Sequence, residues 1–143
     1  MSFKNLGAFK KRLDKRLTTT ATGNAKSAVT RATMLVENFA KQSIQAGGAG
    51  QSVRRYQPTR THTQSKPLDP PATDTGYLVS QITMNVDVKQ NGSVVGQIIS
   101  AAPYSKALEF GTVTMQPRPF MQPALRKNKS KIVAIFKKEG VIK

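Results

Sequence analysis

The chain contains no cysteine. A disulfide framework, a thiolate zinc site and a cysteine nucleophile are therefore all excluded. It has one histidine, His62, and no tryptophan, so a multi-histidine metal centre and most dyad or triad chemistry fall away too. No apolar run approaches the ~20 residues of a membrane span. Met1-Ser2-Phe3-Lys4 lacks the apolar core of a signal peptide, so synthesis in the cytosol is expected. Acid is also scarce: 7 Asp and Glu face 23 Lys and Arg, for a net charge of +16. A surplus of that size repels itself and points to an anionic partner, whether nucleic acid or an acidic protein surface.

The surplus is unevenly placed. Residues 1–66 carry 13 basic and 2 acidic side chains, residues 67–125 carry 3 and 4, and residues 126–143 carry 7 and 1. A near-neutral middle thus lies between two cationic ends. A self-contained nucleic-acid-binding domain more often places its cations on its own folded face. At 143 residues the chain is near the commonest domain size of about 100–150, and one domain with arms is expected. Its parts are read as a basic N-terminal arm (1–24), a long helix (25–46), an interaction loop (47–75), a sheet module (76–125) and a basic C-terminal helix (126–143).

Phe3, Leu6, Phe9, Leu13 and Leu17 recur every three or four residues. That spacing predicts a short amphipathic helix over 3–17, with Lys10, Lys11, Arg12, Lys15 and Arg16 on its wet side. Thr18–Gly23 is expected to break it, because β-branched residues and glycine are poor helix formers. Asn24 would then cap a longer helix whose stripe runs through Ala28, Ala32, Leu35, Val36, Phe39, Ala40 and Ser43, stopping at Gly47-Gly48. Residues 47–75 are polar and almost free of aliphatics, with Arg54, Arg55, Arg60, His62 and Lys66 scattered through them. Alone, such a segment is expected to be mobile and to order against a partner. His62 within it reads as a solvated loop residue.

Beyond the loop, Ile82, Met84, Val86 and Val88 alternate with polar residues, and Asn91-Gly92 follows as a type I′ hairpin signal before Val94–Ala101. A short helix over 104–110, a third strand over 112–115 and a C-terminal helix to Glu139 complete the reading. In that last helix Leu125, Ile132, Ile135 and Phe136 are expected to face inward. The fold class is α+β: an antiparallel meander or hairpin sheet packed by a long N-terminal and a C-terminal helix, with a long extended loop.

No composite of side chains carries catalytic chemistry. The acids are scattered, and Gly47-Gly48-Ala49-Gly50 follows a helix where a phosphate loop would precede one. The basic clusters read first as solvated faces, with nonspecific nucleic-acid binding as the functional alternative. Glu109, an acid among apolar neighbours, needs a partner if buried. Arg118 is the first candidate and Arg126 the second; an exposed helix-end position is the third reading.

Ala102-Pro103-Tyr104-Ser105-Lys106-Ala107-Leu108-Glu109-Phe110-Gly111-Thr112, followed by Arg118-Pro119-Phe120-Met121-Gln122-Pro123-Ala124-Leu125, resembles a known pattern. It is that of the small tail-completion or neck proteins, the head–tail joining minor tail components of long-tailed phages. Lys66–Pro71 and Asp74–Ile82 resemble the same family's upstream block, so the likeness spans about residues 25–140. Pro103, where small residues are commoner, and Leu108 depart from the pattern. The resemblance implies a virion structural protein without enzymatic activity or cofactor. It would sit in the neck at the tail top, after assembly in the host cytoplasm. The implied partners are copies of itself in a ring of six, the head connector, and the tail tube or tail terminator. Nonspecific contact with packaged DNA is possible, and no membrane is involved. Interface candidates are the five arm cations named above together with Arg54, Arg55, Arg60, Tyr104, Glu109, Phe110, Arg118 and Phe120.

Overall fold

The computed structural model describes residues 6–56 and 59–142. The elements in chain order are α1 (Leu6–Gln45), β1 (Ser52–Tyr56), β2 (Thr59–Thr63), α2 (Tyr77–Ser80), β3 (Ile82–Val88), β4 (Val94–Ser100), α3 (Ser105–Phe110) and α4 (Met121–Lys138). The α+β class holds.

The first departure from expectation is α1. It runs unbroken for 40 residues, about 60 Å at 1.5 Å per residue. Thr18–Gly23 does not interrupt it, and Asn24 lies inside it instead of capping it. The hydroxyls of Thr18, Thr19 and Thr22 donate to the carbonyls of Asp14, Lys15 and Thr18 one turn back. Their polar groups are thus satisfied within the helix. A threonine costs a helix only about 0.5 kcal/mol and a glycine about 1. Breaking the ladder with good formers on both sides costs more, so the helix continues. Phe3, the first residue of the expected stripe, lies outside the described residues.

Packing begins only at Ala28. Ala28, Ala32, Val36, Ala40 and Ile44 stand four residues apart on α1 and are all buried. Their small side chains let other elements approach the helix axis closely. One cluster joins Ile44 to Leu78, Ile82, Ala102 and Phe120, and a second joins Val36 and Ala40 to Ala124. Ile98 and Met121 lie against both. Strand β4 comes nearest at Gly96, where a Cβ would stand 2.2 Å from Thr33 Oγ1 and 2.8 Å from Val29 Cγ1. A larger residue there would force the Thr33 and Val29 side chains or the hairpin to shift.

Strands β3 and β4 pair antiparallel from Ile82↔Ser100 to Val88↔Val94. The connection is longer than the expected two-residue turn. Lys89 N donates to Ser93 O, Gly92 N donates to Lys89 O, and positive φ is confined to Gly92 at 81°. This is a three-residue loop with a glycine bulge, so Asn91 stays out of the left-handed region and instead accepts from Ser93 N. No third strand joins. Residues 112–115 form a turn closed by Thr112 N to Met115 O at 2.8 Å.

Residues 47–75 hold a second hairpin, β1–β2, with Ser52↔Thr63 through Tyr56↔Thr59 in register. It forms its own two-stranded sheet, separate from β3–β4. The rest of the segment is tied down by Thr73 N to Ile44 O and Leu68 N to Pro117 O.

Helix α4 lies along α1. Arg31 pairs with Glu139 at 2.6 Å and Lys127 stands over the Phe39 ring at 5.8 Å, so the two helices run antiparallel. The inward face of α4 is Ala124 and Asn128, both buried. Asn128 Nδ2 satisfies itself on Ala124 O. Leu125, expected inside, is 57% exposed, while Ile132, Ile135 and Phe136 are half-buried. Small residues form the seam between the helices. The large apolar stripe is rotated to one side of it.

Candidate functional site

Glu109 organises the region that carries the family-like pattern. Helix α3 ends at Gly111, whose φ of 77° and ψ of 179° belong to a region open essentially to glycine. A Cβ there would also lie 2.8 Å from Met115 O. The chain turns back, and Arg118 N donates to Leu108 O at 2.7 Å. Pro119 then leads into α4 beside the end of α3. The Glu109 carboxylate accepts three backbone N–H groups at this point: Phe120 N at 2.8 Å and Met121 N at 3.1 Å on Oε2, and Gln122 N at 2.8 Å on Oε1. These are donors left without partners at a helix start, and an anion at the positive end of the helix dipole suits them.

Neither expected partner of Glu109 is used: the carboxylate caps α4 and is not bound to Arg118 or Arg126. Arg126 is exposed. Arg118 lines a cleft of about 440 Å³ that also includes His62, Ser65, Asp74, Tyr77 and Tyr104. Its Nε is buried there with no hydrogen-bond partner. His62 is not a solvated loop residue. It is half-buried, with Nδ1 3.7 Å from Asp74 Oδ1. Among the described residues no group of three or more His, Cys, Asp or Glu side chains that could hold a metal ion occurs.

Tyr104 and Phe110 do not fix α3 to the hairpin. Leu108 packs on the core instead, and Phe110 is 67% exposed. Tyr104 is also exposed, with its ring centroid 6.3 Å from that of Tyr77. Partial burial, and secondarily the Tyr77 phenol, push the Tyr104 hydroxyl above its ordinary pKa. Phe120 is in the core. Tyr104, Glu109, Phe110, Arg118 and Phe120 therefore gather around the α3–α4 junction.

The other candidates lie elsewhere. Arg54 on β1 is exposed and sits 5.9 Å from the Tyr56 ring centroid; the side chains of Arg55 and Arg60 are outside the described residues. Lys10, Lys11, Arg12, Lys15 and Arg16 are all exposed on the outer part of α1. The His62–Asp74–Arg118 cleft was not legible as a unit, because its members come from β2, the polar loop and the α4 approach.

The fold and this junction define a class: a small α+β protein whose distinctive residues bind its own elements together and whose long helix extends beyond the packed core. The chain belongs to the family described as "Bacteriophage HK97-gp10, putative tail-component", whose model matches residues 7–111. It is thus a bacteriophage tail component and a constituent of the virion. The match covers α1 through α3, with α4 beyond it. No curated protein and no solved structure matches the chain. No helix among the described residues is long and apolar enough to cross a membrane.

Proposed function

We propose that this tail component is a tail-completion subunit: it closes the tail top as a ring of six and joins it to the head connector in the neck. The supporting observation is the outer half of α1. Every residue from 9 to 21 is exposed, including Phe9, Leu13 and Leu17 at 60%, 42% and 67%. Five cations flank that apolar row. An isolated helix of this length is marginal in water, so the arm gains most when a partner covers it. Acidic faces of the connector or tail terminator are the favoured partners, with passing DNA a secondary contact. The work is recognition without catalysis. Labelling the subunit in virions tests the position: a label at the neck, with filled heads and tails left unjoined when the protein is missing, is the expected result. A label at the tail tip would overturn it.

Replacing Lys10, Lys11, Arg12, Lys15 and Arg16 with glutamine should slow head–tail joining about tenfold or more, as loss of electrostatic steering does. The melting curve should stay unchanged, since none of the five is buried. Joining should also weaken with salt, because charges are screened over ~8 Å at physiological ionic strength. Indifference to both treatments would reduce the arm to a solvated face.

The β1–β2 hairpin serves in this reading as a second contact element, ordered fully in the assembled particle. Its described residues are mostly exposed, so amide exchange in the free subunit should be fast over 47–66 and slow over 82–99. Equal protection of both hairpins in the free subunit would count against it.

A further inference from the structure

The rotated stripe of α4 leaves an apolar groove open beside the core. Leu125, Ile132 and Phe136 form one wall, Ile98 on β4 the other, and Val29 and Val36 of α1 the floor, around a cleft of about 430 Å³. At 57% exposure Leu125 lies at its mouth. The rim is cationic. Arg126 and Lys129 lie on the solvent side of the same α4 stripe, Lys26 stands one turn before Val29 on α1, and all three are exposed. Among the described residues, no acid faces this rim from the elements that form it. Asp14 lies on the exposed arm of α1, about three turns before Lys26. Glu139 is committed to Arg31, Glu37 to Lys41, and Asp87 to Asn85 on the opposite sheet face.

We infer that this groove binds an amphipathic helix with acidic flanks, supplied by a different virion protein. Charge complementarity selects the occupant. The apolar walls ask for a row of aliphatic side chains, and the rim asks for carboxylates beside that row. A second copy of this chain is poorly suited. The exposed apolar row that such a copy would offer, Phe9–Leu13–Leu17, is flanked by Lys10, Arg12 and Arg16, which would meet Arg126 and Lys129 with like charge. The inference rests on the groove and its rim and is independent of where in the virion the subunit sits.

The test uses the full chain and two labelled peptides of about 15 residues, long enough to form a helix on a surface. Both carry leucine at i, i+3, i+4 and i+7; one is flanked by glutamate, the other by lysine. In fluorescence anisotropy the glutamate peptide should bind and the lysine peptide should not. Leu125→Glu should weaken binding about tenfold or more, the worth of one buried leucine. The double variant Arg126→Glu/Lys129→Glu, which touches no packing, should do the same. The charge-matched Lys66→Glu/Lys89→Glu, at exposed positions away from the groove and the arm, should bind as wild type. Failure of the glutamate peptide to bind overturns the inference. Equal loss in this control, or full competition by polyglutamate, also overturns it by reducing the effect to net charge. If light scattering shows wild-type self-association that Leu125→Glu abolishes, the groove belongs to a second copy and the inference falls.

Discussion

Phe120→Ala should remove about 3–5 kcal/mol of unfolding free energy, the usual cost of emptying a buried phenylalanine site. Phe120 is 1% exposed and lies in the cluster that joins Ile44 of α1, Leu78 of α2, Ile82 of β3 and Ala102. Four segments converge on that one ring, so the cavity cannot collapse by moving any single one. Typical domains hold only about 5–15 kcal/mol in total, and the variant should melt well over 10 °C lower, if it folds at all. Urea denaturation gives the free energy directly. A loss under about 1 kcal/mol would mean that the ring is not the keystone its burial implies. Phe120→Leu, which keeps most of the volume, should recover much of the difference.

Glu109→Ala should cost about 2–3 kcal/mol, because hydrogen bonds to a charged acceptor are worth more than neutral ones and three amides lose theirs together. The loss has a specific location: the start of α4 should fray, which amide exchange at Phe120, Met121 and Gln122 would report. Glu109→Gln keeps an acceptor oxygen but loses the charge, and should fall between wild type and alanine. Substituting Arg118 or Arg126 should not mimic either variant. A neutral Glu109→Ala would show that water replaces the carboxylate at no cost. Since Phe120 N is one of the donors, Phe120→Ala and Glu109→Ala touch one junction, and their costs should not add.

Local pattern made much of the fold legible. Strict alternation over 82–88 and the Asn91-Gly92 pair mark the hairpin, and the stripe from Ala28 to Ser43 marks the buried stretch of α1, although it leaves out the fully buried Ile44. What escaped depended on tertiary context or on weak composite costs. Thr18–Gly23 looks like a break because four threonines and a glycine are poor helix formers, yet their summed penalty is smaller than that of two new helix ends. The β1–β2 hairpin escaped because its strands bury little. The β-branched alternation of Thr59, Thr61 and Thr63 was the available signal. The apolar set Leu125, Ile132, Ile135 and Phe136 predicts Leu125 inside, whereas the buried residues of α4 are Ala124 and Asn128. Glu109 was flagged by its neighbours, but its partners were backbone amides 11 to 13 residues away, which side-chain matching does not consider.

The unbroken passage of α1 from exposed arm to buried seam fixes a phase. In a helix each residue turns about 100° and advances about 1.5 Å. The azimuth of Phe9, Leu13 and Leu17 is therefore set by the same screw that aims Ala28, Ala32 and Val36 at the core. A flexible tether would let the arm find its partner at any angle and would absorb a pull by stretching. This rod does neither: it presents its row in one direction relative to the body and passes torque and tension straight into the seam with α4. Length between arm and body is then a rotational coordinate as well as a distance. Removing one residue near Gly23 would swing the row by more than a quarter turn. Removing seven would return it almost to its starting direction, about 10 Å closer in.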